Sequence, residues 1–353
     1  MRTKSELYGG THVSLKFVHT ADTHLGFEIT RTAQGDPSGR QNRADAIFRN
    51  FERVARHAME IGADLFLHSG DLFNKYYIPR NRLDLLIRPI FGLAKAGIRV
   101  LLIPGNHERS EFPFDLFHGH RTIVVYDRPK SICLHLGGYS VGIAGFPFIR
   151  EDSRRTFFEA LGETEYEGLK SDFNILVVHQ AFDQAEVGPG DFVFREGRRD
   201  TVSRRSVPLN FDYIAAGHIH RHQILSHPLK PGLNFVYPGS TQRVSFAEMN
   251  EEKGFVEGEI LNGRIETRFV SLPAYEMEIV RVEAAGLTSK ECEDEIVSQS
   301  WRFDADRVIR FNLTGGGKAS DYPDVDFEKI RRAMPPILEC QFVIHAGKRT
   351  IVK

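Results

Sequence analysis

Five short polar motifs end apolar runs along this chain, and their residue types suit a site for two metal ions. They are Asp22-Thr23-His24, Gly70-Asp71, Gly105-Asn106-His107-Glu108, His179 and Gly217-His218-Ile219-His220. Two cations held ~3.5–4 Å apart need a ligand that touches both. A carboxylate can bridge and an imidazole cannot, which makes Asp71 the candidate bridge. Asp22 and His24, spaced i, i+2, fall on one side of an extended segment and could grip one ion. His218 and His220 repeat that spacing and could each reach a different ion of a close pair. Asn106 offers a neutral carbonyl oxygen, and His179 completes the ligand set. Mixed nitrogen and oxygen donors without thiolate suit Mn, Fe or Zn and argue against Ca or Mg. Such ions would polarise phosphorus–oxygen bonds, lower the pKa of a bridging water and stabilise an in-line transition state. His107, next to Asn106, would face the substrate, to stabilise that transition state or protonate the leaving oxygen.

Each motif alone has a bland explanation. Gly-Asp and Gly-Asn-His are turn sequences, and an isolated Asp-x-His is a cap beside an incidental histidine. The ordered set of five is what departs from chance. His19, His57, His68, His118, His120, His135, His222, His227 and His345 fall outside the set and read as solvated or internally satisfied.

The elements needed to position these groups are legible in the apolar pattern. Leu15–Thr20 reads as a strand, Gln41–Ile61 as an amphipathic helix, Ala63–His68 as a strand, Arg82–Ala96 as a helix and Arg99–Ile103 as a strand. This β-α-β-α-β start predicts a parallel, buried sheet covered by helices. Ligands of such sheets bind beyond the carboxyl ends of the strands, where the first three motifs fall. Further on, Thr122–Tyr126, Ser131–Leu136, Ser140–Ala144, Asn174–Val178 and Tyr213–Ala216 read as strands and Arg154–Leu161 as a helix. Asn234–Tyr237, Gly254–Ile260 and Arg264–Val270 read as strands of a second sheet. From about Pro273 a small α/β unit follows: strands at Glu276–Val282, Arg307–Leu313 and Glu339–Ile344, helices at Thr288–Ser298 and Asp326–Ala333.

Composition adds limits. The chain has 353 residues, 26% of them charged, and a net charge of −1, so phosphate-binding residues must be concentrated locally. Three scattered cysteines, Cys133, Cys292 and Cys340, form no CxxC pair and read as reduced, buried thiols of a cytoplasmic protein. No apolar run approaches the ~18–20 residues of a membrane span. Met1–Ser14 lacks the apolar core of a secretory signal and reads as a short extension.

The ordered motifs resemble those of the calcineurin-like metallophosphoesterase superfamily. VHTADTHLG (Val18–Gly26), HSGDLF (His68–Phe73), IPGNHE (Ile103–Glu108), VVHQ (Val177–Gln180), AAGHIH (Ala215–His220) and YPGSTQRVSF (Tyr237–Phe246) look like the SbcD / meiotic-recombination-eleven nucleases. The last of these is the most subfamily-specific. The resemblance covers about residues 15–270. It implies a four-layer α/β/β/α metallophosphoesterase sandwich with a small C-terminal α/β capping domain. The expected domains are an extension (1–14), a nuclease domain (15–272) and a capping, DNA-contacting domain (273–353).

By motif position, the resemblance implies one metal on Asp22, His24, Asp71 and His220, and a second on Asp71, Asn106, His179 and His218. His107 would be the catalytic histidine that ligates no metal. The family's preferred metal is manganese. Its activities are 3′→5′ exonuclease on duplex ends and endonuclease on single strands or hairpins. Its partner is an SbcC-type ABC ATPase, it forms homodimers, and it works on the nucleoid. Two features depart from the pattern. Asn74 stands where some members carry a second catalytic histidine. No long linker and helix for docking the ATPase follow the capping unit, which implies a truncated chain or different partner contacts.

Arg195, Arg198, Arg199, Arg204, Arg205, Arg221 and Arg243 are candidates for phosphate contacts, against the alternative of a solvated charged loop. Phe192 and Phe194, interleaved with them, are expected to pack the loop down rather than stack on bases. Phe48, Phe51, Leu83, Leu86 and Ile87 are candidates for a dimer face, or for this domain's own core. Two other functions compete with a nuclease: a phosphodiesterase or phosphatase on nucleotides or small esters, and a DNA-end-binding scaffold protein with a vestigial metal site.

Overall fold

A computed structural model describes residues 14–27, 37–74, 78, 80–108, 112–304, 307–316, 318–335, 339–346 and 349–352. The expected N-terminal extension lies outside the described residues, except Ser14. The chain divides into two compact units: 1–27 with 47–273, and 28–46 with 274–353.

The first unit holds two six-stranded sheets. In one, Ser14–Thr20, Leu65–His68, Arg99–Leu102 and Ile123–Val125 run parallel in that order. Lys253–Leu261 pairs antiparallel with Ser14–Thr20, and Arg264–Leu272 forms the edge beyond it. In the other, Lys230–Tyr237, Tyr213–Gly217, Phe173–His179 and Tyr139–Gly145 run parallel. Gln223–His227 and Lys130–Leu136 flank them antiparallel.

The period-two pattern of the strands builds the core. Leu15, Phe17, Leu65, Leu67 and Leu101 of the first sheet pack against Val141, Ile143, Ile175, Val177 and Ala215 of the second. The alternate residues face outward beneath helices. Leu176, Val178, Ile214 and Ala216 meet Phe157 and Leu161 of the helix Ser153–Glu163. Phe51 of the helix Pro37–Glu60 stands edge-on to Phe66, with ring centroids 6.4 Å apart. Helix, sheet, sheet and helix therefore form the expected four layers.

Two expectations change. The helix read over Arg82–Ala96 is two helices, Arg80–Leu86 and Arg88–Lys95, meeting at Ile87. Pro89 causes the break, because it has no N–H to give to Leu85 and its ring crowds that carbonyl. The strands at Gly254–Ile260 and Arg264–Val270 join the first sheet, not the second. Ser14–Thr20 would otherwise leave an unpaired edge, and the register puts Val256 and Ile260 into the same core as Leu15 and Phe17.

The second unit carries a sheet ordered Glu276–Glu283, Arg307–Thr314, Glu339–Ala346, Arg349–Val352, of which the last strand was not expected. The helix Ser289–Ser300 begins with a capping box between Thr288 and Glu291. Val282, Phe311, Ile296, Ile330 and Phe342 form a core of its own. Arg43 is buried in this unit, donating to the Tyr275 hydroxyl at 2.7 Å and to Glu339 at 2.6 Å. The cysteines are free, and Cys133 is exposed rather than buried. No described helix is long and apolar enough to cross a membrane.

Candidate metal centre

The five motifs lie at the carboxyl ends of parallel strands from both sheets. Asp22 follows Ser14–Thr20, Asp71 follows Leu65–His68 and Asn106 follows Arg99–Leu102. His179 ends its own strand, and His218 follows Tyr213–Gly217 beside it. The first two loops are tied together by Asp22 N–H to Gly70 O at 3.0 Å and His24 N–H to Asp71 O at 3.0 Å.

The backbone here is strained toward the site. Asp22, His24, Asp71 and His218 all have positive φ, between 50° and 88°. Non-glycine residues rarely adopt that region, and such strain clusters at functional sites. The two sheets meet closely. A Cβ on Gly217 would fall 2.0 Å from Ser69 O and 2.8 Å from His179 Nδ1, and one on Gly105 would fall 2.1 Å from Asp71 Oδ1. Only glycine lets these loops touch.

The ligand atoms converge as two ions would require. Two donors each ~2.0–2.2 Å from one ion stand about 3 Å apart. His24 Nε2 lies 3.1 Å from His220 Nε2, and His220 Nε2 lies 3.6 Å from Asp22 Oδ1. Two imidazole nitrogens aimed at each other beside carboxylates are better explained by a shared cation than by a hydrogen bond. Asn106 Oδ1 lies 2.8 Å from His218 Nδ1 and 3.0 Å from His179 Nε2, which is itself 3.4 Å from Asp71 Oδ2. Asp71 Oδ2 also lies 3.9 Å from His24 Nε2, so it stands between the two groups. Three ligand clusters emerge: Asp22-His24-His220, Asp22-Asp71-His179 and His24-Asp71-His107. Nearly all of these side chains are buried, and the donor set fits divalent transition ions.

Neighbouring groups fix several of the candidate ligands. His179 Nδ1–H donates to Ser69 O at 2.8 Å, which leaves Nε2 for an ion. His220 Nδ1 meets Glu248 Oε1 at 3.1 Å. Glu108 accepts from Phe73 N–H at 2.9 Å and Gly105 N–H at 2.5 Å, clamping the Asn106 loop to the Asp71 loop. Burial, then the Asp71 charge, push the Glu108 carboxyl up to about 8. Burial holds His24 and His218 down to about 3, so they stay neutral, as ligands must. Burial also opposes charge on His179 and His220. Asp71 with Asp22 and the Ser69 carbonyl outweighs it at the first, and Glu248 with Asp22 at the second, raising each to about 9. Burial raises Asp22; burial also opposes charge at Asp71, but the charge and hydrogen bond of His179 together with the charges of His24 and His107 outweigh it and lower the carboxyl. This concentration of buried opposite charge is what a cation pair would take over.

His107 is the exposed member. Its side chain is 41% exposed, its N–H donates to Asp71 Oδ1 at 2.9 Å, and its Nδ1 donates to Asn74 O at 3.0 Å. Nε2 stands 3.9 Å from Asp71 Oδ2, at the open edge of the ligand cluster. Asn74 thus contributes its backbone, orienting the imidazole. The Phe148 ring lies 5.5 Å from His218 and 5.9 Å from His179 and forms one wall.

The arginines divide. Arg204 pairs with Asp183 and donates to Ser226 O, Arg221 joins Asp191 and Glu251, and Arg243 donates to Glu251 O. These three hold the protein's own loops. Arg198 pairs with Asp200 and lies 5.4 Å from the Phe192 ring. Arg195, Arg199 and Arg205 remain exposed. Phe194 packs on the second sheet's outer core, whereas Phe192 is 47% exposed. Of the dimer candidates, Phe51, Leu86 and Ile87 are buried in the chain's own core, leaving Phe48 and Leu83 half-buried.

Sequence reading missed Glu248, Lys253 and Phe148. Glu248 sits two residues past the YPGSTQRVSF segment, where an acidic residue in a polar turn carries no signal by itself.

A site with these ligands on this fold defines a class. Residues 15–222 match the calcineurin-like phosphoesterase model, and the chain belongs to that family, whose members use two divalent metals. It is 28% identical over 258 residues to the DNA double-strand break repair protein Mre11 of Methanococcus maripaludis, covering 70% of this chain and 63% of that protein. It is 25% identical over 351 residues to the D component of the SbcCD nuclease of Staphylococcus epidermidis, covering 94% and 86%. The matched region spans 63%, 62% and 60% of three archaeal Mre11 relatives.

Proposed function

We propose that this chain is a metal-dependent DNA nuclease of DNA repair, working as a 3′→5′ exonuclease on duplex ends and an endonuclease on single strands or hairpins. What carries the reading is that the match to the SbcCD nuclease component runs over 94% of the chain, so it extends past the metal centre into the second unit. Asp22, His24 and His220 would hold one ion and Asn106, His179 and His218 the other, with Asp71 between them. The donor set suits Mn, Fe or Zn, and manganese is the ion that the family resemblance implies. When bound, two divalent ions polarise a phosphodiester and lower the pKa of the attacking water. The residues of the chain supply the rest. Asn74 O fixes the His107 ring so that Nε2 faces the open edge, where it can give a proton to the leaving oxygen. Burial of Asp22, Asp71 and His179 excludes competing water from the ligand side. Arg195, Arg199 and Arg205 would meet the DNA backbone, and the second unit would cap the substrate. An SbcC-type ABC ATPase and a second copy of the chain would be the partners.

The test is end-labelled duplex DNA with Mn²⁺, beside a His107→Ala variant and a small chromogenic diester. Shortening from 3′ ends by the wild type alone is expected. Cleavage of the small diester without DNA would turn the reading to a small-ester phosphodiesterase. Absence of metal uptake would turn it to a scaffold.

A further inference from the structure

His220 is the most accessible of the candidate ligands on its side of the site, and it is held from behind by a buried charged group. Glu248, 5% exposed, accepts from His220 Nδ1 through Oε1 at 3.1 Å. Ser245 donates to the same oxygen at 3.0 Å. The other oxygen receives Ser240 Oγ at 3.0 Å and Lys253 Nζ at 2.8 Å. Lys253 is 1% exposed; it also donates to His220 O at 3.0 Å and to Glu251 at 3.1 Å. Glu248 therefore accepts on both oxygens, and Lys253 occupies one of them permanently. The carboxylate side facing His220 can only accept, so Nδ1 must carry a proton, and with an ion bound it would be Nε2 that presents its lone pair to the site.

We propose that Glu248 and Lys253 form a positioning pair that fixes His220 as an Nε2 metal ligand, with Lys253 anchoring the carboxylate by the oxygen that does not meet His220. The proposal rests on the reading of the cluster as a metal centre, but not on DNA as the substrate.

The pair makes a sharp distinction possible between Glu248→Gln and its double variant. In E248Q, Lys253 can only donate, so the amide oxygen must turn to Lys253 and the amide NH₂ to His220. Nδ1 then accepts, Nε2 is protonated, and the ligand is lost. In E248Q/K253M the donor left on that side is the Ser240 hydroxyl, which can give its proton to Gln242 O instead, so the amide can turn its oxygen back to Nδ1 and the ligand returns. A purely structural role predicts the reverse order, because the double variant removes more of the buried network.

The experiment is calorimetric titration of Mn²⁺ into metal-free wild type, E248Q and E248Q/K253M, with melting of each metal-free protein alongside. Two binding events are expected for the wild type. E248Q should weaken one of them ~10–100-fold and leave the other intact, and the double variant should recover most of the loss. Wild-type affinity at both sites in E248Q would overturn the proposal. So would a double variant no better than the single one, or a wild type that takes up no metal. Because no nucleic acid is present, failure of the nuclease reading leaves these outcomes unaffected. E248Q/K253M strands no buried charge, so it remains informative if E248Q folds poorly.

Discussion

Among single residues, the proposed division between groups that would hold ions and the group that would face the substrate follows burial. Asp22, His24, Asp71 and His179 are almost fully buried, and His107 is the one member of the clusters that is exposed. His107→Ala should therefore lower kcat by ~10²–10⁴ while metal content, read by elemental mass spectrometry, stays at the wild-type value. Loss of metal together with activity would move His107 into the ligand set. A second residue prediction concerns stability. His19 lies between the sheets, bonded to the Tyr213 hydroxyl at 2.9 Å and to Ser69 Oγ at 2.8 Å. Burial first, then the nearby His68 charge, lower it from 6.5 to about 3. Below pH 6.5 the unfolded chain binds a proton there that the folded one refuses, so stability falls as pH drops from 6.5 toward 3. At pH 5 the loss is about 2 kcal/mol. His19→Gln, which hydrogen-bonds without titrating, should flatten denaturant-measured stability over that window; an unchanged slope would contradict the assignment.

At the level of elements, the site exists because two parallel sheet edges are brought into contact. Gly217 is where they touch, against Ser69 O and His179 Nδ1. Gly217→Ala inserts a methyl with no room and should cost ~1–3 kcal/mol in metal-free stability, with weaker metal uptake as His179 is displaced. Unchanged melting and uptake would mean the loops give way freely. Most elements were legible, because strands such as Phe173–His179 carry unbroken apolar runs and the helix Pro37–Glu60 a clear stripe. What misled was local. The apolar spacing of Arg82–Ala96 continues through Pro89, but the proline's missing N–H does not allow the helix to.

For the whole molecule, a near-neutral chain acting on DNA as proposed would have to meet it through a few exposed cations. Arg199 and Arg205 are exposed, whereas Arg204, Arg221 and Arg243 brace loops. Replacing Arg199 and Arg205 by Ala should weaken DNA binding and reduce the slope of log K against log salt by about 1.8, near 0.9 per lost phosphate contact. A slope identical to wild type would remove both from the interface. Arg221→Ala should instead lower stability, since it unties Asp191 and Glu251 from the same loop cluster.

The sequence by itself determined the candidate ligand types, their order and their attachment to strand ends, because apolar runs and the polar motifs that stop them are local features of the chain. It also determined the helix–sheet layering, through periods of two and 3.6. The tertiary structure alone decided which sheet the strands Lys253–Leu261 and Arg264–Leu272 join, since apolar alternation is satisfied equally on either side of a shared core. It decided which arginines are spent inside the protein, and that Glu248 and Lys253 stand behind His220. Charge pairing across tens of residues leaves no periodic trace, and a glutamate that buries itself against a distant histidine reads in sequence like any glutamate in a turn.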